Sequence, residues 1–232
     1  MNINPRVRIA IHRLQAGHHT LALINLNIGG DDLAAVVAAL RNNATLTTLY
    51  LGSNNLGDEG ARSLAAALDN NATLTRLDLY WNNIGDEGAR SLAAALNATL
   101  ITSLNLADNN IGAEGAQSLA AALDNNRTLQ RLGFLWNNIG ADIMNLLEDR
   151  LRVNQIVPKI ASWVATTAAR VKPLDNTHNN LPPDFAARAA VLAFGEELLL
   201  GAPWLSPGGR KFAADNLMPL AETALILKLR RG

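Results

Sequence analysis

The chain has 232 residues, of which 49% are hydrophobic and 17% are charged, so it is long enough and apolar enough to bury a core. Its 20 basic residues balance its 20 acidic residues, which argues against a nucleic-acid partner and against attraction to an anionic membrane surface. The chain contains no cysteine, which excludes disulfides, thiolate metal sites and cysteine nucleophiles.

The first 17 residues precede the repeating part of the chain and are predicted to form an N-terminal cap. Arg6, Arg8 and Arg13 leave only short apolar runs between them, so this segment lacks the apolar core of a signal peptide. No stretch of the chain reaches 18 uncharged apolar residues, which argues against a transmembrane helix. We therefore expect neither classical export nor integration into a membrane.

Residues 18–140 repeat with a period of about 28 residues. Residues 42–69 recur almost unchanged as residues 70–97, and the motif GDEGARSLAAAL is identical in the two copies. A degenerate copy opens the region and is counted as the first, so these two are the second and third; a fourth follows with one residue missing near Thr99, and a fifth begins at Asn125. Repeats of this length are typical of solenoids, in which each unit buries its apolar face against its neighbours.

Each copy is predicted to contain a strand followed by a helix. Apolar residues first alternate, as at Leu49 and Leu51, and then recur every three or four residues, as around Leu64. An Asn-Asn-Leu/Ile-Gly link joins the two patterns and ends in an acidic residue, Asp58 in the second copy. We expect Asp58 to cap the helix that it begins and to pair with Arg62, four residues further on.

The pattern LxxLxLxxNxLGxxG, followed by a helix rich in Ala and Leu, resembles the ribonuclease-inhibitor class of leucine-rich repeat. This resemblance covers residues 18–140 and implies an α/β solenoid, with a concave parallel sheet on one side and convex helices on the other. It also implies that one asparagine in each turn is structural, its amide satisfying backbone groups of adjacent coils. These ladder asparagines are Asn54, Asn82, Asn109 and Asn137.

Four rows of side chains are expected to project from the concave face, because they flank the core leucines of neighbouring strands about 5 Å apart. From the first row to the fourth they are Thr48, Arg76, Ser103 and Arg131; Tyr50, Asp78, Asn105 and Gly133; Gly52, Tyr80, Ala107 and Leu135; and Ser53, Trp81, Asp108 and Trp136. Both tyrosines of the chain and two of its four tryptophans fall in these rows.

Aromatic side chains beside charges on an open sheet favour a protein-binding face, since buried rings anchor a partner and charges set its register. The predicted partner-binding residues are Tyr50, Arg76, Asp78, Tyr80, Trp81, Asn105, Asp108, Arg131, Leu135 and Trp136. The alternative is that some rings, Trp136 above all, pack within the fold itself. We expect a monomeric module that binds another protein and has no catalytic activity.

The sequence offers few catalytic groups. His12, His18 and His19 have no carboxylates at metal-ligand spacing, and no glycine-rich loop ends in Gly-Lys-Ser/Thr, so no catalytic, metal or cofactor site is predicted. A second hypothesis is an activator resembling the leucine-rich-repeat GTPase-activating proteins. In that case Arg76 or Arg131 would enter the site of a GTPase.

The nearly verbatim copies, with no cysteine and no signal peptide, also resemble the leucine-rich-repeat effectors of intracellular bacterial pathogens. That resemblance implies a protein that acts on a host protein, either in the cytoplasm or after delivery into a host cell by a specialised secretion system. Effectors of this kind with ligase activity depend on a catalytic cysteine, so ligase activity is excluded.

Residues 141–232 are predicted to be entirely helical and to cap the last coil, which an open solenoid would otherwise expose. Because three or four helices are more than a cap needs, the alternative is that this region is also a binding module of its own. The first helix begins at Ala141 and is expected to end at Pro158. Its predicted inward residues are Ile143, Leu146, Leu147 and Leu151. Further helices are predicted over residues 159–171, 183–200 and 210–231.

Overall fold

In the computed structural model, which describes residues 3–41, 43–69 and 71–170, short strands alternate with helices. In chain order the elements are α1 (Pro5–Gln15), β1 (Thr20–Ala22), α2 (Gly30–Arg41), β2 (Thr48–Tyr50), α3 (Gly57–Leu68), β3 (Arg76–Asp78), α4 (Asp86–Leu96), β4 (Ser103–Asn105), α5 (Ala113–Leu123), β5 (Arg131–Gly133) and α6 (Ala141–Arg170).

The strands of the described residues form one parallel sheet in the order β1-β2-β3-β4-β5. The register pairs residues one repeat apart, so the central leucines of the strands stand side by side and are buried. They are Leu21, Leu49, Leu77, Leu104 and Leu132. This arrangement confirms the predicted α/β leucine-rich-repeat solenoid.

The helices pack closely because their contact faces carry small residues. In α3, Ala61 and Ala65 are buried beside Leu64 and Leu68. A methyl group added at Gly88 in α4 would lie 3.0 Å from the Ala61 Cβ and only 2.6 Å from an oxygen of Asp58. The glycine therefore allows α4 to approach α3 more closely than any other residue would.

The prediction that Asp58 caps its own helix is wrong. Its Oδ1 instead accepts hydrogen bonds from the backbone N–H groups of Gly85 and Gly88, at 2.7 and 2.9 Å, in the first turn of the next helix. Asp86 does the same one coil later. A side chain at the start of a stacked helix lies closer to the neighbouring coil's free N–H groups than to its own, so each aspartate caps the helix that follows.

The predicted pairing of Asp58 with Arg62 is also wrong, because Asp58 is already engaged with the next coil. The Arg62 guanidinium lies 2.7 Å from the exposed carboxylate of Glu59. Arg90 pairs with Glu87 in the next helix, at 2.9 Å. The two acidic residues at the starts of α3 and α4 thus have separate roles, one between coils and one on the surface.

The N-terminal helix α1 packs on the first coil through Val7, Ala10 and Leu14, which are buried. Asn4 accepts a hydrogen bond from the backbone N–H of Arg6 at 2.9 Å and so caps α1. The role of residues 1–17 as a cap fits this packing, because α1 covers apolar surface that the first coil would otherwise expose.

The helix α6 differs from its prediction in two respects. It continues through Pro158 to Arg170, because a proline removes only one hydrogen bond and the turns on either side hold the helix together. Leu147 and Leu151 are buried as expected, but Leu146 is 38% exposed, since it lies about 100° around the helix from Leu147.

The chain divides into two compact units, residues 1–151 and 152–232. In the first, the Arg150 Nε lies 2.6 Å from an oxygen of Asp124, which follows α5. In the second, residues 152–170 are helical. The helices predicted over 183–200 and 210–231 lie outside the described residues. Among the helices that are described, none is both long and apolar enough to cross a membrane.

Candidate binding face of the sheet

The four predicted rows run across the sheet in the order that the register requires. Strand pairing aligns Thr48, Arg76, Ser103 and Arg131 in the first row and Tyr50, Asp78, Asn105 and Gly133 in the second. Beyond the strands, the backbone N–H of Trp81 donates to the Ala107 carbonyl at 3.1 Å, and that of Asp108 donates to the Leu135 carbonyl at 2.9 Å. These bonds extend the alignment into the third and fourth rows.

Every residue of the fourth row has a left-handed backbone. The φ angles are +61° at Ser53, +50° at Trp81, +57° at Asp108 and +56° at Trp136, and Asn25 in the first copy has +56°. Asparagine, aspartate and glycine adopt this region readily, whereas a bulky side chain there is strained. The turn therefore prefers a small polar residue, yet two of its five copies carry tryptophan.

The two tryptophans of the fourth row are open to solvent. Trp81 is 61% exposed and Trp136 is 74% exposed, with Leu135 beside it at 56%. Among the described residues, none buries Trp136. Tyr80 is half-buried, and its ring meets that of Trp81 edge-on with 6.4 Å between the ring centroids.

The polar residues of the first two rows pair across the strands. The Arg76 guanidinium donates to the Tyr50 hydroxyl and the Arg131 guanidinium to the Ser103 hydroxyl, each at 3.5 Å. The Asn105 amide donates to Asp78 Oδ1 at 3.3 Å. Both arginines remain exposed, so a second molecule could reach their charges.

Tyr80 and Asp108 form a pair in the third and fourth rows. The Tyr80 hydroxyl donates a hydrogen bond to the Asp108 carboxylate, and this bond raises the pKa of the tyrosine above its usual value. A smaller contribution comes from desolvation, and a further one from the negative charge of Asp108. The pair joins an aromatic ring and a carboxylate directly beside Trp81.

Behind the rows, the ladder asparagines connect adjacent coils. The backbone N–H groups of Asn54 and Leu56 donate to Asn82 Oδ1 at 3.1 and 3.3 Å, and Asn82 Nδ2 donates to the carbonyls of Leu51 and Tyr80. In the same manner, Asn54, Asn109 and Asn137 each bond to backbone groups of the preceding coil. These bonds hold the turns that present the fourth row.

A second set of asparagines lies at the opposite end of the strands. Asn71 Nδ2 donates to the Leu40 carbonyl of the preceding coil at 3.1 Å, and its Oδ1 accepts from the backbone N–H groups of Thr73 and Leu74. Asn126 makes equivalent bonds two coils on. Both asparagines are buried, so these coils are held by a side-chain amide at either end of the strand.

Four exposed large apolar residues of the described chain, Ile9, Ile24, Leu100 and Leu146, were not among the predicted site residues. Ile24 is 53% exposed and Ile9, on α1, is 57% exposed. Ile24 lies one period before Gly52, so it belongs to the third row, and extending the rows into the degenerate first copy would have found it. Ile9 carries no such signal, because α1 lies outside the repeat.

The described residues contain no group of three or more His, Asp or Glu side chains placed to hold a metal ion. The polar groups of the face instead pair with one another or with backbone groups of the same coil. The chemistry available on this face is therefore that of hydrogen bonding, charge and aromatic contact.

Comparison with known proteins supports the same fold. A family model described as "Leucine Rich repeat" matches residues 42–65, 70–93 and 97–120. No curated protein matches the chain. Among solved structures, this chain is similar to one described as "Leiomodin-1 Actin-Binding Site 2 (ABS2)", with 22% sequence identity and a TM-score of 0.61 over 69% of this chain and 96% of that one.

A second similar structure is the tropomodulin C-terminal domain of Caenorhabditis elegans. It is 16% identical, with a TM-score of 0.59, over 68% of this chain and 98% of that one. The three matched segments and these two structures agree that the chain contains leucine-rich repeats and folds as they do.

Proposed function

We propose that this chain is a protein-binding module that holds a partner protein on the concave face of its sheet, from which the four rows project. The observation that carries this proposal is the placement of Trp81 and Trp136 at left-handed, exposed turn positions. The equivalent positions of other copies carry Asn25, Ser53 and Asp108, so the fold itself does not require a ring there.

We infer that the two tryptophans cost stability, because within the described residues their rings gain little burial. A bulky residue in the left-handed region costs about 1–2 kcal/mol, and exposure of a large apolar ring forgoes the gain from burying it. Strain of this kind is found where function requires it. A partner that covers both indoles would recover the lost burial, as the aromatic anchors of protein interfaces do.

The remaining residues of the face would surround these anchors with polar contacts. Arg76 and Arg131 offer exposed positive charge along the first row, and Asp78 offers negative charge in the second. Leu135 adds apolar surface beside Trp136. An apolar centre with a charged rim is the usual composition of a protein interface.

We assign binding to the repeats, residues 18–140, and capping to residues 1–17 and 141–232. The monomer remains our expected state. Because one of the similar structures is described as an actin-binding site, actin is the first partner to test. The ribonuclease-inhibitor class and delivery into a host cell as a bacterial effector are also retained as proposals, on the repeat pattern described above.

The experiment is affinity capture from eukaryotic and bacterial lysates, with purified actin as a separate sample. It compares the wild-type chain with a Trp81→Asn, Trp136→Asn double variant, which restores the residue type that the first copy tolerates at this position. A matched control, Arg62→Ala with Arg90→Ala, removes two large exposed side chains from the helices. We expect the control to retain the partner and the tryptophan variant to lose it.

Equal recovery by the wild type and the tryptophan variant would refute the proposal. The GTPase-activating alternative is tested when the captured partner is a GTPase. Its rate of GTP hydrolysis is then measured with the wild-type chain and with the Arg76→Ala and Arg131→Ala variants. If the chain is an activator, one of these variants should still bind the GTPase but no longer accelerate GTP hydrolysis. If it is only a binding module, neither variant should alter the rate of GTP hydrolysis.

A further inference from the structure

The fourth row places a carboxylate between two tryptophans. Backbone hydrogen bonds join Trp81 to the coil of Asp108 and Asp108 to the coil of Trp136, so the three side chains occupy successive turns. Adjacent coils of a parallel sheet are about 5 Å apart, which leaves about 10 Å between the attachment points of the two indoles. That span leaves room for a planar group to lie against an indole beside the carboxylate.

The charge of Asp108 is not neutralised by any of the described side chains. Its carboxylate accepts a hydrogen bond from Tyr80 but makes no ion pair within the described ranges. Arg76 and Arg131 lie in the first row, five residues before the fourth, or about 16 Å along the strand direction. That distance exceeds the screening length of about 8 Å at physiological ionic strength.

A groove beside this carboxylate is lined by further acceptors. Trp81 and Asp108 form part of its wall together with Ser53, Asn83 and Asn110. Side-chain amides and a hydroxyl supply neutral hydrogen-bonding groups, and the described lining residues carry no positive charge. A cation that enters the groove would find one full negative charge, several acceptors and an aromatic face.

We propose that Asp108, flanked by Trp81 and Trp136, receives an arginine side chain of the partner protein. This inference rests on the proposed function and specifies the chemistry of its partner. A guanidinium is planar, stacks on an indole, donates two parallel hydrogen bonds to a carboxylate and has further N–H groups for the amides of the groove. No other protein side chain satisfies all four features at once.

The test is a titration of the intact 15N-labelled chain, followed at the tryptophan indole N–H resonances. The probe is the tripeptide acetyl-Gly-Arg-Gly-amide, and its control carries citrulline, which has the shape of arginine without the charge. We expect saturable shifts of the Trp81 and Trp136 indoles with the arginine peptide and none with the citrulline peptide at equal concentration.

Two variants identify the carboxylate responsible. Asp108→Asn removes the charge at a position where Asn25 of the first copy has the same left-handed backbone, so the turn is preserved. We expect it to weaken binding of the arginine peptide by about fivefold or more, from the loss of an ion pair at an exposed aromatic site. Asp78→Asn removes the same charge elsewhere on the face and should change binding by less than about twofold.

Equal shifts with arginine and citrulline, absence of shifts with both, or equal effects of the two aspartate variants would each overturn the inference. The lysate capture separates this failure from that of the proposed function. If the Asp108→Asn chain retains a partner that the tryptophan variant loses, the arginine site is wrong and the binding face stands. If the tryptophan variant also retains the partner, the proposed function itself is wrong.

Discussion

Adjacent residues of one turn behave in opposite ways in this molecule. Asn82 is buried and bonded to backbone groups of neighbouring coils, whereas Trp81, directly before it, is 61% exposed and strained. Every copy from the second to the fifth keeps the asparagine, while the position before it carries Ser, Trp, Asp and Trp in turn. The ladder position is fixed by the need to pair buried backbone groups, and the row position is free to carry binding residues.

The same contrast appears at the start of each helix. Asp58 bonds to the first turn of the next helix, whereas Glu59, one residue later, extends to a surface arginine. In the fourth copy the aspartate is replaced by Ala113, and the helix that follows it is α6, which leaves the repeat pattern. The first copy also lacks it, since Gly30 stands at this position, so the cross-coil caps among the described residues are those of α4 and α5.

The largest expected effect is on the ladder. Asn82→Ala leaves the buried backbone N–H groups of Asn54 and Leu56 without their acceptor. We expect a loss of about 3–5 kcal/mol in the free energy of unfolding, measured by chemical denaturation, since each unpaired buried group costs about 1–3 kcal/mol. Asn110→Ala, at an exposed asparagine of the next turn, should cost less than about 1 kcal/mol. Equal losses in the two variants would show that the ladder asparagines do not stabilise the fold more than an exposed asparagine does.

A smaller loss is expected at the helix starts. Asp58→Ala removes the acceptor for Gly85 and Gly88 and should cost about 1–2 kcal/mol, as the loss of a helix cap does. Glu59→Ala removes only an exposed ion pair with Arg62 and should cost less than about 0.5 kcal/mol. Thermal denaturation of the two variants decides between them. A larger loss for Glu59→Ala would contradict capping across coils.

Substitutions at the tryptophans of the fourth row should not lower stability. Trp81→Asn and Trp136→Asn relieve a strained backbone and remove little buried surface, so we expect stability to stay level or rise by about 1 kcal/mol. The neighbouring Leu79→Ala, in the core, should cost about 2–5 kcal/mol. Denaturation midpoints provide the measurement. A loss above about 2 kcal/mol in either tryptophan variant would mean that its ring supports the fold.

The smallest expected effect is a change in the pKa of Tyr80. Its pKa is raised chiefly by the hydrogen bond to Asp108, so Asp108→Asn should lower the Tyr80 pKa toward its usual value. Asp78 accepts from the backbone N–H of Tyr80, not from its hydroxyl, so Asp78→Asn should leave the pKa nearly unchanged. NMR titration of 13C-labelled tyrosine follows each hydroxyl. If the two variants gave the same pKa, the Tyr80–Asp108 pair would be refuted.

Much of this architecture was predictable because the length of the repeat determines which residues pair between adjacent strands. The spacing of Leu49 and Leu77 fixes the strands, and counting 28 residues from Tyr50 places Asp78 beside it, as the sheet does. Ile24 was missed only because the rows were not carried into the first copy. The side chains exposed on the sheet follow directly from the alternation of the strand.

Other features depend on geometry that spacing does not express. The distance between stacked helices decides that Asp58 reaches Gly85 instead of its own helix, and no sequence pattern gives that distance. The left-handed φ of Trp81 is hidden because its residue type argues against it. Pro158 signals a helix end by its chemistry, yet the surrounding turns of α6 override that signal.

The central claim is that a partner contacts the sheet and not the helices, and cross-linking tests it directly. A photoreactive benzoylphenylalanine replaces Ala107, in the third row of the sheet face, or Ala94, on the exposed side of α4. Irradiation with the captured partner should yield an adduct from position 107 and none from position 94. An adduct formed mainly from position 94 would place the partner on the helices and contradict the account.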